Sequence, residues 1–182
     1  MRVIGVVGYP ASGKGEFSRV AAGTGIPVVV MGDVIRREAS KAGLGTSDAA
    51  LGEMATRLRR DHGMDAVALL TIEDVKALRA PLLLIDGLRG DAEVRLFRSR
   101  FPGFLLVGIV SSFEDRLARS SVRGRSDDLS RAEDLRNRDL REEGFGLARA
   151  LAETDRVLGN DGTLAEFEEK VRALLEEIRG GP

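Results

Sequence analysis

The residues best suited to chemistry lie in a glycine-rich segment near the amino terminus. The run Gly8-Tyr9-Pro10-Ala11-Ser12-Gly13-Lys14-Gly15-Glu16 contains the spacing G-x-x-x-x-G-K, between an apolar stretch at residues 3–7 and an amphipathic one. In that setting, backbone N–H groups surround phosphate oxygens, the following helix adds its positive dipole end, and the lysine reaches the β and γ phosphates. The sequence therefore predicts a P-loop that binds a nucleoside triphosphate through these nine residues.

The position after the lysine departs from the usual pattern. A Ser or Thr hydroxyl normally binds magnesium there, and Gly15 has no hydroxyl. Glu16 suits the helix dipole but would repel a phosphate if it pointed inward. We therefore expect Glu16 to turn toward a base, a ribose or a metal-bound water.

Two further polar segments follow predicted strands. In Met31-Gly32-Asp33-Val34-Ile35-Arg36, Gly32 permits close backbone approach, Asp33 is expected to cap a helix, and the planar guanidinium of Arg36 suits a phosphate. In Ile85-Asp86-Gly87-Leu88-Arg89, the carboxylate of Asp86 stands at the tip of a buried strand. From that position it is expected to hold magnesium, directly or through water.

Arginines concentrate in residues 116–125, which contain no acidic residue: Arg116, Arg119, Arg123 and Arg125. Cations closing over a γ-phosphoryl group stabilise the charge that moves during transfer and exclude water. Nearer the carboxyl terminus, Asn160-Asp161-Gly162-Thr163 precedes the last predicted helix. Taken alone, that turn is ordinary chemistry for a helix start.

The elements that must position these residues alternate between apolar strands and amphipathic helices. This alternation predicts an α/β fold, a three-layer arrangement with a five-stranded parallel sheet flanked by helices. Its ligands are expected at the carboxyl ends of the strands. The predicted strands are 2–7, 27–30, 82–85, 104–110 and 156–158, and the predicted helices are 13–22, 33–42, 47–60, 65–78, 91–100, 113–120, 129–142 and 164–178.

Composition narrows the class of protein. A chain of 182 residues with 43% hydrophobic and 31% charged residues fits one domain, and its net charge of -1 offers no basic excess for nucleic acid. The absence of cysteine excludes thiolate metal sites and favours a reducing cytoplasm. The single histidine, His62, is read as a helix-end residue. No apolar stretch approaches the length of a membrane span, so we expect no membrane partner.

The motifs together resemble the P-loop nucleoside monophosphate kinase superfamily. Gly8, Pro10, Gly13, Lys14 and Gly15 match the Gly-x-Pro-x-x-Gly-Lys-Gly form of adenylate kinases. The segments at 31–36, 85–89 and 123–125 resemble, in order, that family's acceptor helix, its Asp-Gly-Phe-Pro-Arg segment and the start of its lid. The similarity is closest to archaeal adenylate-kinase-related proteins of unassigned substrate, and the turn at 160–163 also resembles dephospho-CoA kinases. Glu16 and Leu88 depart from the family's Thr and Pro.

The resemblance implies a division of labour along one kinase domain, residues 1–182. Its core comprises 1–30, 80–115 and 150–182, its helical acceptor-binding region 31–79, and its short lid with the following helices 116–149. The resemblance implies that Gly32, Asp33, Arg36, Gly87 and Arg89 bind the acceptor, and that the two arginines contact an AMP-like phosphate. The implied ATP contacts outside the loop are Arg119 and Gly162, and the implied catalytic residues are Lys14, Asp33, Arg123 and Arg125.

The resulting prediction is a phosphotransferase that moves the γ-phosphoryl of Mg-ATP to a nucleotide acceptor, most simply AMP-like. Two alternatives stay open: transfer to a hydroxyl, as in dephospho-CoA kinases, with Asp33 accepting the proton, and a nucleotide-sensing ATPase that acts on a protein partner. The expected ligands are therefore small-molecule nucleotides with Mg²⁺. The sequence predicts neither the acceptor's identity nor the oligomeric state.

Overall fold

A five-stranded parallel sheet forms the centre of the protein. The computed structural model describes residues 1–122 and 132–181. The strands lie in the order β2-β3-β1-β4-β5, and every neighbouring pair is parallel. Their bounds are β1 (Arg2–Val7), β2 (Val28–Val30), β3 (Leu82–Leu88), β4 (Leu105–Val110) and β5 (Arg156–Gly159).

Helices cover both faces of this sheet and complete the predicted three-layer α/β fold. The described residues form α1 (Lys14–Gly23), α2 (Met31–Lys41), α3 (Asp48–His62), α4 (Ala66–Ala77), α5 (Asp91–Arg100), α6 (Phe113–Val122), α7 (Ala132–Gly144), α8 (Leu147–Ala152) and α9 (Leu164–Gly180). Across the described part of the chain, no helix combines the length and the apolar character needed to cross a bilayer.

The apolar strands divide their side chains between two cores because successive side chains of a strand point to opposite faces. On β1, Val3 and Val7 pack into the core beneath α2 to α5 and α8, whereas Ile4 and Val6 pack into the core beneath α1 and α9. Both sets are almost fully buried. This burial on both faces explains why the central strands read as continuous apolar runs.

Three local expectations differ from the structure. Helix α2 begins at Met31 rather than at Asp33, because Met31 is buried in the core and continues directly from β2. Strand β3 extends past Ile85 to Leu88, so Asp86 is paired within the sheet, opposite Val6 and Val30. Helix α8 was not predicted, since its six residues are too few to display a helical period.

Candidate active site

The predicted phosphate-binding loop connects β1 to α1 at the carboxyl edge of the sheet. It contains two residues with positive φ, Ala11 at 60° and Gly13 at 117°. A Cβ on Gly8 would lie 2.6 Å from the carbonyl oxygen of Ile109, and one on Gly13 would collide with the side-chain amide of Asn160. Gly8 and Gly13 therefore allow the loop to pack closely against β4 and against the turn that precedes α9.

The side chain of Lys14 folds back over this loop. Its Nζ donates to the carbonyl oxygen of Gly8 at 2.6 Å and to that of Tyr9 at 2.9 Å. On the other side of the loop, Nδ2 of the buried Asn160 donates to the carbonyl oxygen of Ser12 at 2.8 Å. Asn160 was not among the predicted site residues, although its side-chain amide fixes the loop from 148 residues away.

Asp86 lies at the meeting point of the predicted donor and acceptor residues. Burial raises the pKa of its carboxyl group; the charges of Lys14 and Arg89 and a hydrogen bond from Ser18 lower it, while the charge of Asp33 raises it further. Its Oδ1 is buried and has no hydrogen-bond partner within the described part of the chain. Asp86 therefore offers one carboxylate oxygen without a hydrogen-bond partner among the described residues, between the strands that lead into both predicted sites.

A wide cleft opens beside the phosphate loop, where the sequence predicted the rest of the donor nucleotide. Its volume is about 460 Å³, and it is lined by Gly13, Glu16, Ala118, Arg119, Asn160, Gly162 and Leu164. Arg119 donates to Ser111 Oγ at 2.7 Å and to the carbonyl oxygen of Asn160 at 2.5 Å. Glu16 accepts from Arg19 at 2.8 Å. The predicted contacts Glu16, Arg119 and Gly162 thus share one cleft.

A second pocket joins the predicted acceptor residues with several that were not predicted. Gly32, Arg36 and Arg89 line it, as expected. Arg36 donates to Asp33 at 2.5 Å, and Arg89 pairs with Glu142. The lining residues that the sequence analysis missed are Ile35, Asp48, Leu51, Gly52, Ala55, Arg138, Arg141 and Phe145.

The backbone of Arg89 is held by the buried carboxylate of Glu93. That carboxylate accepts from the backbone N–H groups of Arg89 at 2.7 Å and Gly90 at 3.2 Å, and from Arg59 at 2.6 Å. Burial, with the nearby charges of Arg138 and Arg59, lowers the pKa of Arg89 to about 9. Cations crowd this pocket, and an anion in it would relieve their mutual repulsion.

The predicted role of Asp33 as a helix cap is wrong. Because α2 begins at Met31, Asp33 lies within its first turn, and its carboxylate pairs with Arg36. Gly87 has a φ of 93°, at the shift in register between β1 and β3. This conformation favours glycine and carries the chain from Asp86 to Arg89.

The arginine segment divides between two environments. Arg116 is buried and donates to Asp139 at 2.9 and 2.7 Å and to the carbonyl oxygen of Pro10 at 3.1 Å. It holds the carbonyl of Pro10 in the phosphate loop, whereas Arg119 lines the cleft beside that loop. The predicted catalytic residues Arg123 and Arg125 lie outside the described residues.

Helix α7 contacts the phosphate loop through Tyr9 as well. The hydroxyl of Tyr9 donates to Glu143 at 2.7 Å, and partial burial with this hydrogen bond raises the pKa of Tyr9 to about 12. The guanidinium of Arg116 lies 5.0 Å from the centre of the Tyr9 ring. One helix therefore touches both the loop and the arginine-lined pocket.

Comparisons with known proteins show the family to which this chain belongs. A family described as an AAA domain matches residues 7–136. The UPF0200 protein of Methanoregula boonei is 58% identical over 182 residues, covering 100% of both chains. That of Methanoculleus marisnigri is 54% identical over 180 residues, covering 99% of this chain and 98% of the relative. The chain belongs to the UPF0200 family.

Solved structures place this UPF0200 chain among P-loop kinase folds. TT1252 from Thermus thermophilus has a TM-score of 0.66 at 21% identity, covering 97% of both chains. Shikimate kinase from Bacteroides thetaiotaomicron has a TM-score of 0.62 at 13% identity, covering 96% of this chain and 98% of the other. A gluconokinase from Sinorhizobium meliloti has a TM-score of 0.56 at 18% identity, covering 97% and 92%. At these identities the similarity concerns the fold.

Proposed function

We propose that this protein is a nucleotide-dependent phosphotransferase that moves the γ-phosphoryl of Mg-ATP to an AMP-like, phosphate-bearing acceptor. ATP lies along the phosphate loop, with its base and ribose in the cleft beside Arg119 and Gly162. The acceptor's phosphate lies between Arg36 and Arg89. Solved structures of the same fold include proteins described as shikimate kinase and gluconokinase, which supports phosphoryl transfer as the class of reaction.

The observation that carries this proposal is the position of Asp86. Asp86 is paired with Val6 of β1, which leads into the phosphate loop, and with Val30 of β2, which leads into α2 and Arg36, so the two sites meet at this carboxylate. A P-loop that only binds a nucleotide needs no second, arginine-lined pocket at its phosphate end. This juxtaposition is the arrangement that direct transfer between two bound ligands requires.

The residues present suit magnesium held largely by phosphates. The Oδ1 of Asp86 and the buried hydroxyl of Ser12 have no hydrogen-bond partner among residues 1–122 and 132–181. Nor does that part of the chain contain a cluster of three acidic or histidine ligands. Magnesium typically takes one or two carboxylates, substrate phosphates and waters. Bound there, it would neutralise charge on the β and γ phosphates.

In the proposed reaction, the bond between the γ-phosphorus and the β–γ bridging oxygen breaks as an acceptor oxygen bonds to that phosphorus. The electron pair stays with ADP. An ionised phosphate acceptor has no proton to lose, so no general base is needed. Lys14 stabilises the charge that develops on the transferred group, while Arg36 and Arg89 hold the acceptor in line.

Turnover with γ-labelled ATP tests the proposal. We expect AMP, among a panel of nucleotides and small phosphates, to convert ATP to ADP with stoichiometric label transfer, and Lys14→Ala to abolish transfer. The matched control is Lys170→Ala, because Lys170 also donates to a backbone carbonyl, that of Gly159 at 3.2 Å, yet lies on α9. Slow ADP formation that no acceptor changes would contradict the proposal and support the nucleotide-sensing ATPase.

The hydroxyl-acceptor alternative assigns Asp33 as the base, and its pairing with Arg36 argues against that role. The Asp33 carboxylate accepts from the Arg36 guanidinium at 2.5 Å and would have to leave this partner to reach a hydroxyl acceptor. The same labelled-ATP panel distinguishes the two chemistries. Transfer to an acceptor that has a hydroxyl but no phosphate, with its loss in Asp33→Asn, would favour the alternative.

A further inference from the structure

On the far side of the arginine-lined pocket, two arginines bind the carboxylate of Asp48. The Nη2 of Arg141 donates to both oxygens of Asp48, at 3.1 and 3.0 Å, and Nη1 of Arg138 lies 3.3 Å from Asp48 Oδ1. Asp48 comes from α3 and the two arginines from α7. The chain therefore supplies its own anion to a pair of guanidiniums that line the predicted acceptor pocket.

Gly52, in the interior of a helix, leaves space for the guanidinium of Arg141. Gly52 lies inside α3, where glycine is unfavourable for helix formation. A Cβ at that position would lie 2.8 Å from the guanidinium carbon of Arg141 and 2.8 Å from its Nη1. Arg141 thus lies flat across the bare backbone of Gly52. The glycine fixes the approach of the guanidinium to Asp48, a role that helix propensity does not explain.

The pocket as it stands is too full for a nucleotide-sized acceptor. Its cavity volume is about 50 Å³, against about 460 Å³ for the cleft beside the phosphate loop. Binding therefore requires side chains to move. Asp48 is the one carboxylate among the described lining residues, and its side chain is 21% exposed, so it has a path to solvent.

We propose that Arg138 and Arg141 form a second anion subsite, and that Asp48 occupies it until a second acid group of the acceptor displaces it. This inference rests on the proposed function, since it specifies the acceptor: a phosphate-bearing compound with another carboxylate or phosphate. Arg36 and Arg89 hold the first anion. The second anion is about the size of the Asp48 carboxylate that it replaces. Its departure leaves Arg141 without a carboxylate partner among the described residues and Arg138 with Glu142 alone, at 3.2 Å, and the acceptor's second acid takes the place of Asp48.

Calorimetry with two matched pairs of probes tests this inference, in protein whose donor site is saturated with Mg-ADP. The first pair is AMP and adenosine 3′,5′-bisphosphate, which adds a phosphate. The second is glycerol 3-phosphate and 3-phosphoglycerate, which adds a carboxylate. We expect the doubly acidic member of at least one pair to bind about tenfold more tightly, because a charge-assisted hydrogen bond contributes that much. The pair that responds identifies the acid.

Variants then separate the subsite from a structural ion pair. We expect Arg141→Ala to remove the tighter binding of the doubly acidic probe. We expect Asp48→Ala to increase the difference in affinity, because this variant removes the carboxylate that occupies the subsite. Gly52→Ala should reduce this difference, by displacing Arg141, while its melting temperature stays within about 3 °C of wild type. A purely structural Asp48–Arg141 pair predicts no gain of affinity in Asp48→Ala.

Arg98→Ala is the matched control for Arg141→Ala. The Nη2 of Arg98 also meets both oxygens of an aspartate, Asp155, at 3.3 Å. We expect this variant to keep the wild-type ratio of affinities. Equal affinities within both probe pairs, in wild type and in Asp48→Ala, would overturn the second subsite, as would a failure of all four probes to bind either protein. The proposed function is tested separately, by turnover with labelled ATP.

Discussion

Replacing Arg36 with alanine separates acceptor binding from folding more cleanly than any other change in the pocket. Arg36 and its partner Asp33 have side chains that are 43% and 65% exposed. Exposed ion pairs contribute about 0–1 kcal/mol to stability. Arg36→Ala should therefore lower the melting temperature by less than about 4 °C in a domain of this size. Arg89→Ala is a poorer probe, because it leaves the buried Glu142 without one of its cations.

The expected loss of affinity follows from the same contacts. A bidentate, charge-assisted hydrogen bond between guanidinium and phosphate contributes about 1.5–3 kcal/mol. Part of this is offset, because the wild-type guanidinium must first leave Asp33, an exposed pair worth about 0–1 kcal/mol. The remaining roughly 0.5–3 kcal/mol corresponds to AMP binding that is about 2- to 150-fold weaker. ATP affinity should be nearly unchanged.

The neighbouring residue supplies the control. Arg37 has the same 43% side-chain exposure and pairs with Asp74 on α4 at 3.1 Å. Calorimetric titration of AMP into wild type, Arg36→Ala and Arg37→Ala, with thermal unfolding of each, measures both quantities. Equal dissociation constants for the two variants would refute the assignment of Arg36 to the acceptor phosphate, and so would the absence of AMP binding to wild type.

Three further predictions concern the donor side. Because burial raises the pKa of Asp86 in the folded protein, the ionised carboxylate opposes folding above that pKa. Asp86→Asn should therefore raise the melting temperature of the nucleotide-free protein at neutral pH, and this increase should become smaller as the pH falls. The same variant should reduce magnesium-dependent turnover. Arg123→Ala and Arg125→Ala should each slow transfer about 100-fold in single-turnover kinetics, with AMP affinity little changed. Gly13→Ala should lower the free energy of unfolding by at least about 1 kcal/mol and abolish ATP binding in titrations, because a positive φ and the amide of Asn160 both oppose the new methyl group.

The sequence predicted most of the sheet because its signals are local. An apolar run such as residues 3–7, followed by a glycine-rich turn, needs no tertiary information to be recognised as a strand before a phosphate loop. The same is true of Arg36 and Arg89, which follow β2 and β3 and therefore meet at one edge of a parallel sheet. Both arginines lie in one pocket, as that reasoning requires.

Asn160 and Gly52 illustrate what local signals leave out. The turn containing Asn160 reads as an ordinary helix start, and only the packing of α9 beside α1 brings its amide to the carbonyl oxygen of Ser12. Gly52 reads as a weak point in a helix. Its significance depends on Arg141, 89 positions further along the chain, whose guanidinium lies against it. Neither relation has a sequence spacing that could be recognised in advance.

Helix α7 shows most clearly what the sequence pattern leaves out, because its charged residues alone indicate a solvent-exposed helix. Its mixture of arginines, aspartates and glutamates is typical of surface helices. In the structure, Arg138 and Arg141 line the proposed acceptor pocket, and Glu142, on the same side of the helix, pairs with Arg89 of that pocket. Asp139 and Glu143, one position further round, meet Arg116 and Tyr9 at the phosphate loop. The same residue types would be solvated on a free helix. Packing of α7 in the fold gives Asp139 and Glu142 arginine partners and gives Glu143 the hydroxyl of Tyr9, and no sequence pattern contains these contacts.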